Sequence, residues 1–191
     1  MEVRLGLPQG QEKAAVGLYW EAFGAKLGKL LGPEQRGTAF FADSINPEAI
    51  LAAMDGDTLL GIAAFKRGAH GFSRGGVRAL VKHYGVFGTL WRVVPLAMLE
   101  RKAPKDVLQM DGICVSATAR GKGVGSALFQ HLFDYAHESG CRAITLDVID
   151  TNPRAKALYE RLGFEVVSEE HTSIMEPLLG FSKAERMMRS L

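Results

Sequence analysis

Val115-Ser116-Ala117-Thr118-Ala119-Arg120-Gly121-Lys122-Gly123-Val124-Gly125-Ser126-Ala127-Leu128 joins a strand pattern to a helix pattern. Upstream of it, Asp106–Ser116 reads as a strand interrupted by Gly112. Downstream, Val124–Ser139 sets Leu128, Phe129, Leu132, Phe133, Tyr135 and Ala136 on one helical face, with Gly140 as its C-cap. The turn between them, Arg120–Ser126, is rich in glycine and carries two cations. A helix start offers free N–H groups and a dipole worth roughly half a positive charge, which together attract an anion. Glycines let a phosphate approach the backbone, and Arg120 and Lys122 add charge. The spacing is neither a Walker A loop nor the Gly-x-Gly-x-x-Gly dinucleotide fingerprint. Taken alone, the turn reads equally as an anion site or as a sharp strand-to-helix corner whose glycines satisfy geometry.

Outward from this turn, Arg142–Ile149 is a strand, and Asn152-Pro153 opens a helix that runs to Leu162 and stops at Gly163. Phe164–Glu170 and Ala184–Leu191 read as two last strands around an irregular stretch from His171 to Lys183. Toward the N-terminus, Glu2–Leu7 is a short strand and Gln11–Leu31 a long amphipathic helix, followed by a weaker helical patch at Gln35–Ala42. Ala49–Met54 and Thr58–Lys66 pair through an Asp55-Gly56-Asp57 hairpin signal. Gly68–Gly76 reads as a loop, and Val77–Arg101 as helix broken at Gly85, Gly88 and Pro95. A helical crossover between the central strands requires a parallel pair, so the fold class is α/β or α+β.

The chain has 191 residues, 47% hydrophobic and 23% charged, which fits one domain, 1–191, with a buried core. Its formal charge is only +2, which argues against nucleic acid as a partner. Cys114 and Cys141 are too few for a disulfide framework. The five histidines show no metal-ligand spacing, so no metal is expected. The N-terminus has no signal-peptide core, and the most apolar tract, within Val86–Leu99, carries Arg92 and Pro95 and is too short to span a membrane. No integral membrane segment is expected, and the default compartment is the reducing cytoplasm.

The Val115–Leu128 stretch resembles the signature of the GNAT superfamily of acyl-CoA-dependent N-acyltransferases, with Arg120, Gly123 and Gly125 at its defining positions. A second stretch, Leu146-Asp147-Val148 followed by Asn152-Pro153-Arg154-Ala155-Lys156-Ala157-Leu158-Tyr159-Glu160-Arg161-Leu162-Gly163-Phe164, resembles the family's Asn-x-x-Ala-x-x-Leu-Tyr-x-x-x-Gly-Phe segment. The two matches are independent and cover about Asp106–Phe164. The resemblance implies a mixed, mostly antiparallel sheet flanked by helices, with a central parallel strand pair splayed apart at a bulge that Gly112 would tolerate.

It also implies acetyl-CoA as the acyl donor and an N-acetyltransferase that acts by direct transfer on a primary amine of a small molecule or peptide. The backbone of Ile113, Cys114 and Val115 is then expected to meet the pantetheine arm and the carbonyl. Arg120, Gly121, Lys122, Gly123, Val124, Gly125 and Ser126 are expected around the pyrophosphate. Asn152 is either a helix N-cap or a contact to the pantetheine arm. Tyr159 is the candidate acid for the departing thiolate, against simple packing beside Leu158 and Leu162. Strand alternation sets Gln109, Asp111, Ile113 and Val115 on one face and Cys114 on the other. Some members of the family carry a glutamate near the position of Gln109, which here cannot take a proton, so Asp111, the nearest carboxylate on that face, is the candidate base, against a strand-end hydrogen-bonding role; Asp147 is weaker. With no histidine near Cys114, a cysteine ping-pong route is disfavoured.

Roughly forty residues separate the third strand from the fourth, far beyond a hairpin loop. This mostly helical insertion, about residues 68–105, is expected to shape the acceptor side, with ordinary packing or a homodimer contact as the plainer readings. The competing functions are a non-catalytic acyl-CoA-binding or sensing module, and a nucleotide-binding regulator using the Arg120–Ser126 turn.

Overall fold

A computed structural model describes residues 1–66, 71–99, 104–171, 176 and 180–191. Residues 68–70 and 100–103 of the expected insertion, and 172–175 and 177–179 of the expected irregular stretch, lie outside the described residues.

The strands are β1 (Glu2–Leu5), β2 (Ile50–Asp55), β3 (Thr58–Lys66), β4 (Val107–Val115), β5 (Ala143–Ile149), β6 (Glu165–His171) and β7 (Lys183–Ser190). They form one sheet in the order β1-β2-β3-β4-β5-β7-β6. Only β4 and β5 run parallel; the other neighbours are antiparallel. This is the mixed, mostly antiparallel sheet with one central parallel pair that the family resemblance implies.

The helices are α1 (Glu12–Leu31), α2 (Glu34–Ser44), α3 (Val77–Leu99), α4 (Val124–Glu138) and α5 (Pro153–Arg161). Each face of the sheet buries its own core. Leu128, Phe129, Leu132 and Phe133 of α4 and Tyr159 of α5 pack with Leu108, Met110, Ile144 and Leu146 on one face. Residues of α1, α2 and α3, among them Val16, Leu31, Phe41 and Leu80, pack with Ile62, Ala64 and Cys114 on the other. Helix α4 ends in a Schellman turn: Gly140, at φ +69°, donates to His137 and Cys141 donates to Ala136.

Helix α3 departs from its sequence reading in one respect. Gly85 alone leaves helical geometry, at φ 68° and ψ 175°, while the helix continues through Gly88 and Pro95. Tertiary contacts hold it. The Tyr84 hydroxyl donates to the Leu31 carbonyl at 2.6 Å, and Arg92 Nε donates to the Leu30 carbonyl at 2.6 Å. These are carbonyls of the last turn of α1, which have no acceptor role inside their own helix. Arg92 also lies 4.2 Å over the Tyr84 ring, and Lys82 and His83 meet Asp43 of α2. On its far side α3 leaves Val86, Phe87, Leu90 and Val94 exposed.

Candidate active site

Two local features open the middle of the sheet. Pairing between β4 and β5 stops after Val107↔Ala143, Leu108↔Ile144 and Gln109↔Thr145, so the later residues of β4 have no strand on that side. On its other side, β4 pairs Gly112 with Ala64 and Met110 with Phe65, which leaves Asp111 as an extra residue in a bulge. A Cβ at Gly112 would come within 2.5 Å of the Phe23 ring of α1, so this glycine lets α1 close over the bulge.

The bulge overturns the expected strand alternation. Leu108 and Met110 face the α4 side, as do Ile113 and Val115, although the two pairs differ in parity. Gln109 and Asp111 line a cavity on the α1–α3 side, where Cys114 is also buried. Asp111 therefore shares a face with Cys114 and not with Ile113 and Val115. One extra residue shifts the two-residue period by one step, which strict alternation carried through the bulge expected at Gly112 leaves out.

Three cavities lie around the parted strands, two of them lined in part by β4. The first, about 440 Å³, is lined by Val115, Arg120, Gly121, Gly123, Val124, Gly125 and Ser126, with Phe129, Leu158 and Leu162 behind them. Gly121 and Gly123 sit at φ +75° and +80°, in the left-handed region that favours glycine, and Gly123 is the N-cap of α4. Arg120 donates to the Val115 carbonyl at 3.3 Å and pairs with Glu21 of α1 at 2.7 Å. Lys122 is exposed and outside the lining residues. A glycine-lined hollow at a helix N-terminus fits the diphosphate of coenzyme A.

The second cavity, about 220 Å³, lies where β5 has parted from β4. Phe23, Lys26, Val148, Asn152, Ala155 and Tyr159 are among its walls. Asn152 accepts from the Ala155 N–H at 3.2 Å, so it caps α5 while also facing the cleft. Tyr159 is buried, and this burial, reinforced by Cys114, pushes its hydroxyl up to about 12. Burial, reinforced by the Glu21 carboxylate, likewise raises the Cys114 thiol to about 12. A thiol held protonated is a poor nucleophile. Asp147 is engaged by Arg186 through two bonds of 3.0 and 3.2 Å.

The third cavity, about 370 Å³, has Asp111, Gln109 and Lys66 on its sheet side and is otherwise walled mainly by apolar and aromatic groups, among them Tyr19, Phe72 and Leu80. The Phe72 N–H donates to Asp111 Oδ2 at 2.9 Å. A Cβ at Gly71 would lie 1.7 Å from that oxygen, so the chain reaches the carboxylate only because residue 71 is glycine. Asn46 holds the same segment, donating from Nδ2 to the Gly71 carbonyl at 3.1 Å. The Tyr19 ring stacks on Phe72 at 4.0 Å, and burial, followed by Asp111 and Cys114, raises its hydroxyl well above the usual tyrosine value.

The sequence reading missed Tyr19, Phe23 and Glu21, because a helical stripe on α1 reads as core packing. The signal available was a tyrosine hydroxyl within that stripe, a polar group that needs a partner when buried.

Comparison with known proteins agrees with this geometry. The model of the Acetyltransferase (GNAT) family matches residues 13–164. Mycothiol acetyltransferase of Corynebacterium jeikeium is 35% identical over 92 residues, 48% of this chain and 26% of that protein. Thialysine N-epsilon-acetyltransferase of Bos taurus is 34% identical over 62 residues, 32% of this chain and 36% of that protein. The chain thus spans well under half the length of these curated relatives. A solved GCN5-related N-acetyltransferase from Kribbella flavida aligns over 100% of this chain and 97% of its own, at 25% identity and a TM-score of 0.65. With the family model matched across most of its length and a strand pair parted beside a glycine turn, this chain belongs to the Acetyltransferase (GNAT) family.

Proposed function

We propose that the protein is a cytoplasmic N-acetyltransferase that moves the acetyl group of acetyl-CoA directly to a primary amine of a small molecule or peptide. The parting of β4 from β5 beside the Arg120–Ser126 turn carries this reading. Acetyl-CoA supplies a thioester carbonyl whose C–S bond breaks as the C–N bond of the amide forms. The N–H groups at the start of α4 and the Arg120 guanidinium hold its diphosphate. Ile113, Cys114 and Val115 pair with β3 on one side, and the backbone of their other edge, which β5 leaves open, hydrogen-bonds the pantetheine arm and carbonyl as an added strand does. Asn152, while capping α5, borders the same arm.

The amine must lose its proton. A lysine-like amine with a pKa near 10.4 costs roughly 4–5 kcal/mol to deprotonate at pH 7. Asp111, held by the Phe72 N–H, accepts that proton directly or through water. Tyr159, whose hydroxyl keeps its proton up to about pH 12, protonates the leaving thiolate. The 71–99 segment, with α3, forms one wall of the acceptor side.

Calorimetric titration tests the donor. Acetyl-CoA is expected to bind in preference to ATP and NAD, and Arg120→Ala to weaken it by about tenfold or more. Preference for either nucleotide contradicts the reading.

A further inference from the structure

Beyond its kink at Gly85, helix α3 reverses the usual order of a surface helix, which turns its polar side chains to water. Between residues 86 and 97 the polar side chains are Thr89 and Arg92, and both turn inward. The Thr89 hydroxyl donates to the Gly85 carbonyl at 2.7 Å, and Arg92 reaches the Leu30 and Gly88 carbonyls at 2.6 Å. Every exposed residue of this stretch is apolar. Phe87 is 90% exposed, Leu90 75%, Val86 69%, Val94 63% and Trp91 46%. At 3.6 residues per turn, these five share one side of the helix. Together they offer roughly 600 Å² of apolar surface, at the upper end of the patches that monomers carry.

Charge decides what covers this face. A helix that lies on an anionic membrane needs open cations beside its apolar side. Of the three cations of α3, Lys82 meets Asp43 and Arg92 is turned inward. Arg78 is thus the one cation of the helix that no described residue pairs. The face itself carries no charge of either sign, so a second copy of it meets no like-charge repulsion. Area agrees. Two such faces together bury roughly 1,200 Å², above the threshold of about 1,000 Å² for a specific interface.

We propose that the protein is a homodimer in which the α3 helices of two copies pack antiparallel around a two-fold axis. An axis between Leu90 and Trp91 sets Leu90 of one copy against Trp91 of the other, and Phe87 against Val94. The contact is isologous, so the same patch serves both copies. The inner side of this helix gives Val93 and Leu96 to the third cavity, so pairing of the outer side fixes one wall of that cavity. The dimer does not depend on the identity of the acyl donor or the acceptor.

Light scattering on the full chain over a concentration series tests this. A particle of twice the chain mass is expected at micromolar concentration. Phe87→Glu and Leu90→Glu each bury a charge in the contact and are expected to raise the dimer dissociation constant about 100-fold or more. Val167→Glu, on the exposed edge strand β6, is expected to leave it unchanged. Both helix positions are open in a single copy, and circular dichroism checks that the variants keep their fold. The parent protein supplies a readout that needs no variant: its Tm is expected to rise with protein concentration.

A parent protein that stays monomeric, with a Tm independent of concentration, overturns the proposal. So does a dimer that Val167→Glu dissociates and the two α3 variants do not. Flotation with vesicles of phosphatidylcholine and phosphatidylglycerol, by a protein monomeric in solution, also overturns it and assigns the face to lipid.

Discussion

At the scale of single residues, the chemistry depends on where two protons reside. Burial pushes the Tyr159 hydroxyl up to about 12, so in the proposed reaction it carries the proton it would give to the thiolate throughout the neutral range. Replacing it with Phe is expected to lower kcat about 10²-fold. Because the hydroxyl does not titrate between neutral and mildly alkaline pH, that loss should be the same across a pH–rate profile. A loss that grows with pH would place the acid elsewhere. Asp111→Asn is expected to lower kcat/KM for the amine about tenfold or more, with acetyl-CoA affinity retained in a titration; an unchanged kcat/KM would place the base elsewhere. Tyr159, Asn152 and Arg120 stand in two residue patterns of the sequence, whereas Asp111 was reached only by strand alternation. Its relation to Cys114 was not legible. Asp111 is the extra residue of a bulge, and an alternation rule carried through it assigns every later side chain to the wrong face.

At the scale of elements, the helices and strands were legible from apolar periodicity and from caps such as Asn152 and Gly140. The path of α3 was less so. Gly88 and Pro95 lie within it, and contacts from Tyr84 and Arg92 to the end of α1 outweigh their low helix propensity. Helix α5, which carries Tyr159, is tied to β7 by Lys156, which meets Glu185 at 2.5 Å, while Lys183 meets the same carboxyl group at 2.7 Å. The Lys156 and Lys183 ammonium groups hold the Glu185 carboxyl below its usual value. A carboxyl lowered in the folded state stabilises above its unfolded value of about 4.3, and that contribution fades as pH falls through the folded value. Glu185→Gln is therefore expected to lower the Tm at neutral pH. Its deficit against the parent protein should shrink as pH drops below about 4.3. A deficit independent of pH would mean that shape, not charge, matters at this position.

At the scale of the whole molecule, the sheet order sets β4 between its antiparallel neighbour β3 and its parallel neighbour β5, and the parting of β4 from β5 gives the protein its cleft. A net charge of +2 is compatible with binding a diphosphate, since a helix N-terminus and one guanidinium suffice. The cavity at the start of α4 was legible in advance as a glycine turn, because glycine leaves a readable mark in sequence. The cavity under α1 and α3 was not, because Tyr19, Phe72, Leu80 and Gln109 come from four distant stretches that meet only in the fold. The most direct measurement is mass spectrometry of a reaction containing the protein, acetyl-CoA and a primary amine panel. The account predicts N-acetylated amine and free coenzyme A in equal amounts, with the protein itself unacetylated. Bound acetyl-CoA without product across the panel, or an acetyl group retained on Cys114, would contradict it.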